Sequence, residues 1–237
     1  MESYSILAKY YDSLMQDFDY LRYLELIEKY VKGDGVDLCC GSGTITIALS
    51  KLSHKMIGVD FSSQMLSIAN QKAFNEGEEI LWIQQKSQNF DAKKEVDFVT
   101  CVCDGINYIS IKDFEKLIVK LDSYLKKGGF FIFDISSEYK LRNILGNNFF
   151  FEDLEELTYL WQNKITKDKI TMDITFFVSD KDDKYTRYDE YHTQYIYKKE
   201  DVLSLLNKKY KVKMFDGETF KSIKDNSSRI IFVCEKR

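Results

Sequence analysis

The chain contains no proline. Its turns must therefore be made by Gly, Asn, Asp and Ser. Histidine is almost absent too. His54 and His192 are the two present, too few for a zinc site to be expected. The five cysteines (Cys39, Cys40, Cys101, Cys103 and Cys234) lie inside apolar, strand-like runs and form no C-x-x-C pair. Buried, reduced thiols are the expectation, with no disulfide and no metal. No run of eighteen apolar residues occurs, so no helix is expected to span a membrane. The opening Met1-Glu2-Ser3-Tyr4 lacks the basic-then-apolar pattern of a signal peptide, and a cytoplasmic location is expected. A basic excess is also missing. Lys and Arg number 34 against 38 Asp and Glu, for a net charge of −4, which argues against binding nucleic acid by phosphate neutralisation. The local cluster Lys208, Lys209, Lys211 and Lys213 reads as a solvated helix end.

What remains is an ordinary globular composition, 44% apolar and 30% charged over 237 residues. That length suits one α/β domain over 1–237. Residues 1–32 read as helical, with Leu14, Phe18, Leu21, Leu24, Ile27 and Val31 near a 3.6-residue period. Val36 to Cys40 reads as a buried strand. Helices are then predicted at 43–52, 63–76 and 112–126, and strands at 55–60, 79–84, 96–103 and 129–135. Such alternation predicts parallel strands joined by right-handed crossovers. Three strand-like stretches follow, at 149–162, 169–179 and 185–197, separated by polar junctions. They predict an antiparallel β-meander inserted into the α/β domain. Alternation returns with a helix at 199–208 and strands at 210–216 and 229–235. Along the second stretch Ile170, Met172, Ile174 and Phe176 alternate with Thr171, Asp173 and Thr175, as on a sheet with one packed face.

The strongest chemical signal is Asp37-Leu38-Cys39-Cys40-Gly41-Ser42-Gly43, joining a buried strand to a helix. Gly41 and Gly43 remove side chains where a ligand must approach the backbone, and the helix start offers free N–H groups. A purely structural tight turn would read the same. Asp60 ends the next strand, nineteen residues beyond Gly41. That is where a carboxylate accepts both hydroxyls of a ribose, although an acidic helix cap is the alternative. A dinucleotide fingerprint wants a third small residue at position 46, and Thr46 stands there. Asp37 suits a ligand that carries an ammonium group.

These motifs resemble class I S-adenosylmethionine-dependent methyltransferases. Val36 to Gly43 looks like their motif I. Gly58-Val59-Asp60-Phe61-Ser62-Ser63-Gln64-Met65-Leu66 resembles their second motif, G-x-D-x-S-x-x-M-L. Tyr11-Asp12-Ser13-Leu14-Met15 resembles the Y-D-x-L-M start of a bacterial branch similar to amino-sugar N,N-dimethyltransferases, and Gly128 to Asp134 matches the turn into the fifth strand. The meander and Asp189-Glu190-Tyr191-His192 also look like that branch, so the resemblance covers nearly the whole chain. The Asn/Asp-Pro-Pro-aromatic loop of DNA and protein-glutamine amino-methyltransferases is excluded by the missing proline. The resemblance implies a Rossmann-like seven-stranded sheet carrying an antiparallel β insertion over 149–197 as an acceptor-side lid. It implies S-adenosyl-L-methionine as cofactor and a small-molecule acceptor, in a monomer or homodimer.

Site residues follow from the same resemblance. Tyr11, Asp37, Cys39, Gly41, Gly43, Asp60, Phe61, Met65, Lys86, Ser87, Cys103 and Asp104 would bind cofactor. Phe61 would lie along the adenine face with Met65 nearby. Family members usually carry Asp then Met where this chain has Lys86 and Ser87. A charged lysine accepts no hydrogen bond, so backbone groups around Ser87 must recognise adenine. Cys39 replaces a common Gly or Ala. Asp104 and Asn107 would touch the methionine part or the acceptor, or else form a capping turn. Tyr4 and Tyr11 lie on an N-terminal segment that folds over the cofactor in the family. Arg187, Glu190 and His192 would hold the acceptor, with Tyr11 and His192 as candidate catalytic residues; a structural role is the alternative for the histidine. No strong general base stands out, which favours an amine or an acidic hydroxyl as acceptor. Two other functions stay open: a non-catalytic binding protein, favoured by Lys86, and a nicotinamide-dependent oxidoreductase, which gives the second motif no role.

Overall fold

A computed structural model describes residues 6–180 and 184–237. The N-terminal helical reading resolves into two helices, α1 (Ile6–Leu14) and α2 (Tyr20–Glu28). Asp19 separates them, its side chain accepting the backbone N–H of Arg22 as an N-cap. Tyr23, Leu26 and Ile27 are the buried face of α2. Leu21, expected on that face, is exposed, because the period restarts at the cap.

Strands and helices then alternate: β1 (Gly35–Leu38), α3 (Thr44–Lys51), β2 (Met56–Asp60), α4 (Ser63–Asn75), β3 (Leu81–Gln84), β4 (Val96–Cys101), α5 (Ile111–Tyr124) and β5 (Leu125–Ser136). After a wide helical turn at Lys140–Leu145 come β6 (Phe149–Asp153), β7 (Leu157–Ile165), β8 (Lys169–Ser179) and β9 (Tyr185–Tyr195). The chain closes with α6 (Lys199–Leu206), β10 (Tyr210–Asp216) and β11 (Arg229–Lys236). The main sheet has seven strands in the order β10-β11-β5-β4-β1-β2-β3. β11 runs antiparallel to both its neighbours, and the remaining pairs are parallel. The fold is the Rossmann-like α/β arrangement expected. One apolar core joins the sheet to α5 and α6, through Phe114, Leu117, Leu121, Val202 and Leu206. A second joins it to α2 and α3, through Ile27, Ile45 and Leu49. Because β2 and β4 leave β1 on opposite sides, a crevice opens beyond the carboxyl ends of β1 and β4.

The second sheet is four-stranded and antiparallel, β6-β7-β8-β9. The stretch read as one strand over 149–162 is two, turning at 154–156 between β6 and β7. That turn, Leu154-Glu155-Glu156, has none of the Gly, Asn or Pro residues that mark turns in sequence. On β8, Ile170, Met172, Ile174 and Phe176 are buried, and the polar residues between them face the other way. Against that inner face pack Ile6, Leu7, Tyr10 and Leu14 of α1 with Leu141 and Leu145.

Asn107 ties the two sheets together. It is fully buried. Its Nδ2 donates to the carbonyls of Ser136 on β5 (3.2 Å) and Tyr195 on β9 (3.0 Å), and its Oδ1 accepts the Ser136 N–H (2.9 Å). Every polar atom of the side chain is spent on backbone, so it serves as a junction and not as a ligand contact. Replacing it with Ala strands three buried backbone groups. We expect Asn107→Ala to lower unfolding free energy by about 2–3 kcal/mol, measured as a reduced urea midpoint at unchanged slope; a shift below experimental error would remove this role.

Candidate active site

The motif I loop is shaped by two glycines. Gly41 (φ +54°) would meet nothing within 4 Å if given a Cβ, so its backbone borders open space. Gly43 (φ +78°) is a packing requirement: a Cβ there would lie 2.7 Å from the Trp82 ring and 2.9 Å from Ala69. Gly43 also starts α3. Asp60, at the end of β2, clasps this loop. Its Oδ2 accepts the Gly41 N–H and its Oδ1 the Ser62 N–H, both at 2.9 Å. Ser62, not Asp60, is the N-cap of α4, through Oγ to the Met65 N–H. Each Asp60 oxygen keeps a second lone pair for a ligand. Burial pushes the Asp60 carboxyl up, and the backbone N–H groups of Ser62, Gly41 and Phe61 oppose it.

A cavity of about 570 Å³ lies over the carboxyl ends of the strands. Tyr11, Cys39, Gly41, Asp60, Phe61, Met65, Lys86, Ser87, Cys103, Asp104 and His192 all line it. Asp37 opens instead on an adjoining hollow of about 40 Å³ that shares Tyr11, Cys39, Gly41 and Cys103. Gly43 lines neither. Tyr4 lies outside the described residues. Phe61 is 43% exposed although aromatic, a ring presented to the cavity. The Ser87 Oγ, in the same cavity lining, is buried without a hydrogen-bond partner among the described residues, and Lys86 is exposed. A buried hydroxyl left unpaired is costly, and here it borders the space a ligand would fill. All five thiols are free. Cys101 and Cys234 are buried, but Cys39, Cys40 and Cys103 are half-buried where they border the two hollows, which corrects the expectation of a wholly buried set.

The cavity runs on beneath the second sheet. Tyr159, Trp161, Met172, Ile174 and Phe176 roof it, and Leu7, Leu14 and Met15 wall one side. His192 is buried, its Nε2 3.2 Å from Glu190 Oε2 and its ring edge-on to Tyr108. The other Glu190 oxygen accepts the Ile6 and Leu7 N–H groups at 2.7 and 2.9 Å, capping α1. Burial would raise Glu190, but His192 and those two N–H groups hold it below its usual range. Arg187 does not join this group. It lies on the outer face of β9, exposed and paired with Asp189. Side chains on a strand alternate, so 187 faces away from 190, 192 and 194. Burial pushes the Tyr11 hydroxyl well up, which makes it a donor and not a base at neutral pH.

One group escaped the sequence reading. Arg229, on β11, reaches Asp104 Oδ1 (2.5 Å) and Asp134 Oδ2 (3.1 Å) through Nη1. Asp134 also accepts the Cys103 and Asp104 N–H groups, and Gln194 of β9 donates to Asp104 Oδ2 at 2.8 Å. Burial alone would raise Asp104, but Arg229, Lys140 and Gln194 bring it below its usual value. Asp104 is therefore committed to this cluster at the cavity floor.

Asp37 is buried, accepting from Thr46 Oγ1 (2.6 Å) and Thr100 Oγ1 (2.7 Å). Thr46, at the dinucleotide position, is thus occupied in holding Asp37. Burial raises the Asp37 carboxyl from 3.8 to about 6, the two hydroxyls opposing. A folded-state pKa above the unfolded one favours folding while the group is protonated, and that benefit is lost as pH rises from about 4 to 6. The stability of the unliganded wild type relative to Asp37→Asn should fall by about 3 kcal/mol across that interval, read from urea titrations at each pH. A constant difference would contradict the burial argument.

Comparison with known proteins agrees with this geometry. A family model described as "Methyltransferase domain" matches residues 36–129. YqeM of Bacillus subtilis (strain 168), a methyltransferase by name, is 32% identical over 211 residues, covering 86% of this chain and 84% of that protein. The crystal structure of an S-adenosylmethionine-dependent methyltransferase from Clostridium acetobutylicum ATCC 824 superposes with a TM-score of 0.90 at 34% identity, covering 98% of each chain. The sugar N-methyltransferase KedS8 from Streptoalloteichus sp. ATCC 53650 has a TM-score of 0.80 at 15% identity, covering 100% of this chain and 94% of that one, a likeness of fold alone. With the sheet order, the Gly41 loop and Asp60 already in place, the chain belongs to the class I S-adenosylmethionine-dependent methyltransferases.

Proposed function

We propose that this enzyme methylates a small molecule held between the strand ends of the main sheet and the inner face of the second sheet. The observation that carries this is the continuity of the cavity, from Asp60 and Ser87 at one end to Trp161 and His192 at the other. On this reading the antiparallel sheet is an acceptor-side lid.

The residues present fit the cofactor. Asp60 has lone pairs for the ribose hydroxyls, Phe61 a ring for the adenine face, and the unpaired Ser87 hydroxyl a hydrogen bond for the adenine edge. Asp37, behind the Gly41 loop, supplies negative charge for the ammonium of the methionine part. This division compensates for Lys86, which cannot accept from adenine while charged. When bound, S-adenosylmethionine supplies a methyl group activated by a sulfonium centre. The protein then aligns nucleophile and methyl and excludes water, and alignment alone is worth about 7–11 kcal/mol in favourable systems. His192 is the group placed to take a proton from the acceptor, with Glu190 orienting its ring. An amine that arrives neutral needs less of this help than a hydroxyl.

Two measurements test the reading. Calorimetry should show one S-adenosylhomocysteine per chain and no binding of NAD. Asp60→Asn should raise the dissociation constant at least tenfold, a loss of about 1.5 kcal/mol or more for charge-assisted hydrogen bonds, with an unchanged circular dichroism spectrum. Unaltered affinity would take Asp60 out of the site. For His192, methyl transfer from radiolabelled cofactor to small-molecule pools should fall about a hundredfold in His192→Asn while S-adenosylhomocysteine binds normally. Full turnover in that variant would leave His192 a structural residue.

A further inference from the structure

The ionisable groups around the cavity can be followed one by one. Asp60 holds two backbone N–H groups. Asp113 accepts from Ser110 and Lys116. Asp104 is bound by Arg229 and Gln194, and Arg229 is shared between Asp104 and Asp134. His192 faces Glu190. Two cations are left without a hydrogen bond or ion pair among the described residues. Lys86, at the cofactor end, is exposed, where water satisfies it. Lys140 is only half exposed and lines the cavity near Arg229, on the wide turn after β5.

Lys140 is the exception in a cavity whose acids are all engaged. Its own turn is fixed by the Ser137 hydroxyl, which accepts the Lys140 N–H at 3.0 Å. Burial, then the nearby positive charge of Arg229, disfavours its ammonium form, and Asp104, Asp134 and Glu218 oppose that without contacting it. A partly desolvated ammonium with no partner is stabilised by any anion that reaches it. Its charged neighbours are Arg229, Asp104, Asp134 and Glu218, which places it at the ends of β4, β5 and β11. The surroundings restrict the anion further. Tyr159, Trp161, Met172, Ile174 and Phe176 form the roof, a surface for an apolar, flat body. A single ammonium donor suits a monoanionic carboxylate better than a dianionic phosphate.

We propose, building on the methyltransferase reading above, that Lys140 is the specificity contact for the acceptor, and that the acceptor is a small aromatic or otherwise apolar molecule bearing a carboxylate. Lys140 takes no part in bond making. It fixes one end of the acceptor so that the other reaches the methyl group, with His192 on the facing strand.

The test uses a pair of probes equal in shape and different in charge, indole-3-acetate and indole-3-acetamide, titrated calorimetrically into protein saturated with S-adenosylhomocysteine. Wild type should bind the acid about tenfold more tightly than the amide, the usual worth of one charge-assisted hydrogen bond. Lys140→Met should abolish that preference and leave S-adenosylhomocysteine affinity within about twofold of wild type, and Lys140→Arg should keep the preference. Equal affinity for the two probes, binding of neither, or a preference that survives Lys140→Met overturns the assignment. So does a large loss of S-adenosylhomocysteine affinity in Lys140→Met, which would give the lysine to the cofactor's own carboxylate. If Lys140→Met does not fold, the wild-type comparison of acid and amide still decides. Failure of wild type to bind S-adenosylhomocysteine at all would count against the methyltransferase reading itself, a separate result from any acid-to-amide ratio.

Discussion

The buried contact between Arg229 and its two carboxylates sets the geometry on which the cavity depends. Asp104 follows β4, Asp134 belongs to β5 and Arg229 to β11, so one guanidinium holds three strand ends of the main sheet. Gln194 extends the connection to β9 of the second sheet. Such a cluster is poor evidence of net stability, since taking these charges out of water costs about as much as their attraction returns. Its value is positional. Removing Arg229 leaves two carboxylates together without their shared cation, a defect of about 3–5 kcal/mol, so the arrangement has few alternatives. The antiparallel entry of β11 sets its first residue, Arg229, opposite Ser136 at the end of β5.

The motif I end of the cavity is local, and that is why its geometry was legible in the sequence. The loop from Asp37 to Gly43 and the strand end at Asp60 are each fixed by a few consecutive residues. Their meeting follows from the parallel pairing of β1 with β2, Asp37 beside Gly58 and Leu38 beside Val59. The alternation on β8 was equally plain, since burial there follows a period of two. The same rule applied to β9 separates Arg187 from His192, and reading the three residues as one group overlooked it. The far end of the cavity, beneath the second sheet, resisted for a different reason. Asp104 meets Arg229 and Gln194 across 125 and 90 positions of chain, and Lys140 is marked only by having no side-chain partner among the described residues. Neither property leaves a pattern in neighbouring residues. The turn at 154–156 was missed because acidic residues, not glycine or asparagine, make it.

The second sheet and the main sheet therefore meet through polar contacts more than through a shared core. Asn107 spans them with backbone bonds, Gln194 with a side-chain bond, and the apolar cluster beneath β8 is filled by α1 and the turn after β5. This division leaves the space between the sheets open for a ligand while keeping its walls in register.

α1 deserves to be seen in that light. Its described part spans nine residues, a length that does not sustain a helix alone in water. Glu190 grips its first turn. At the other end Asp12 accepts from Ser42 Oγ at 2.6 Å and from Lys72 Nζ at 2.7 Å. One grip belongs to the second sheet and the other to the motif I loop and α4. Leu7, Tyr11 and Leu14, which α1 contributes to the cavity wall, are thus on loan from both halves of the molecule. Loss of either grip would leave this wall held by the other grip and by the packing of Ile6, Leu7, Tyr10 and Leu14 under β8.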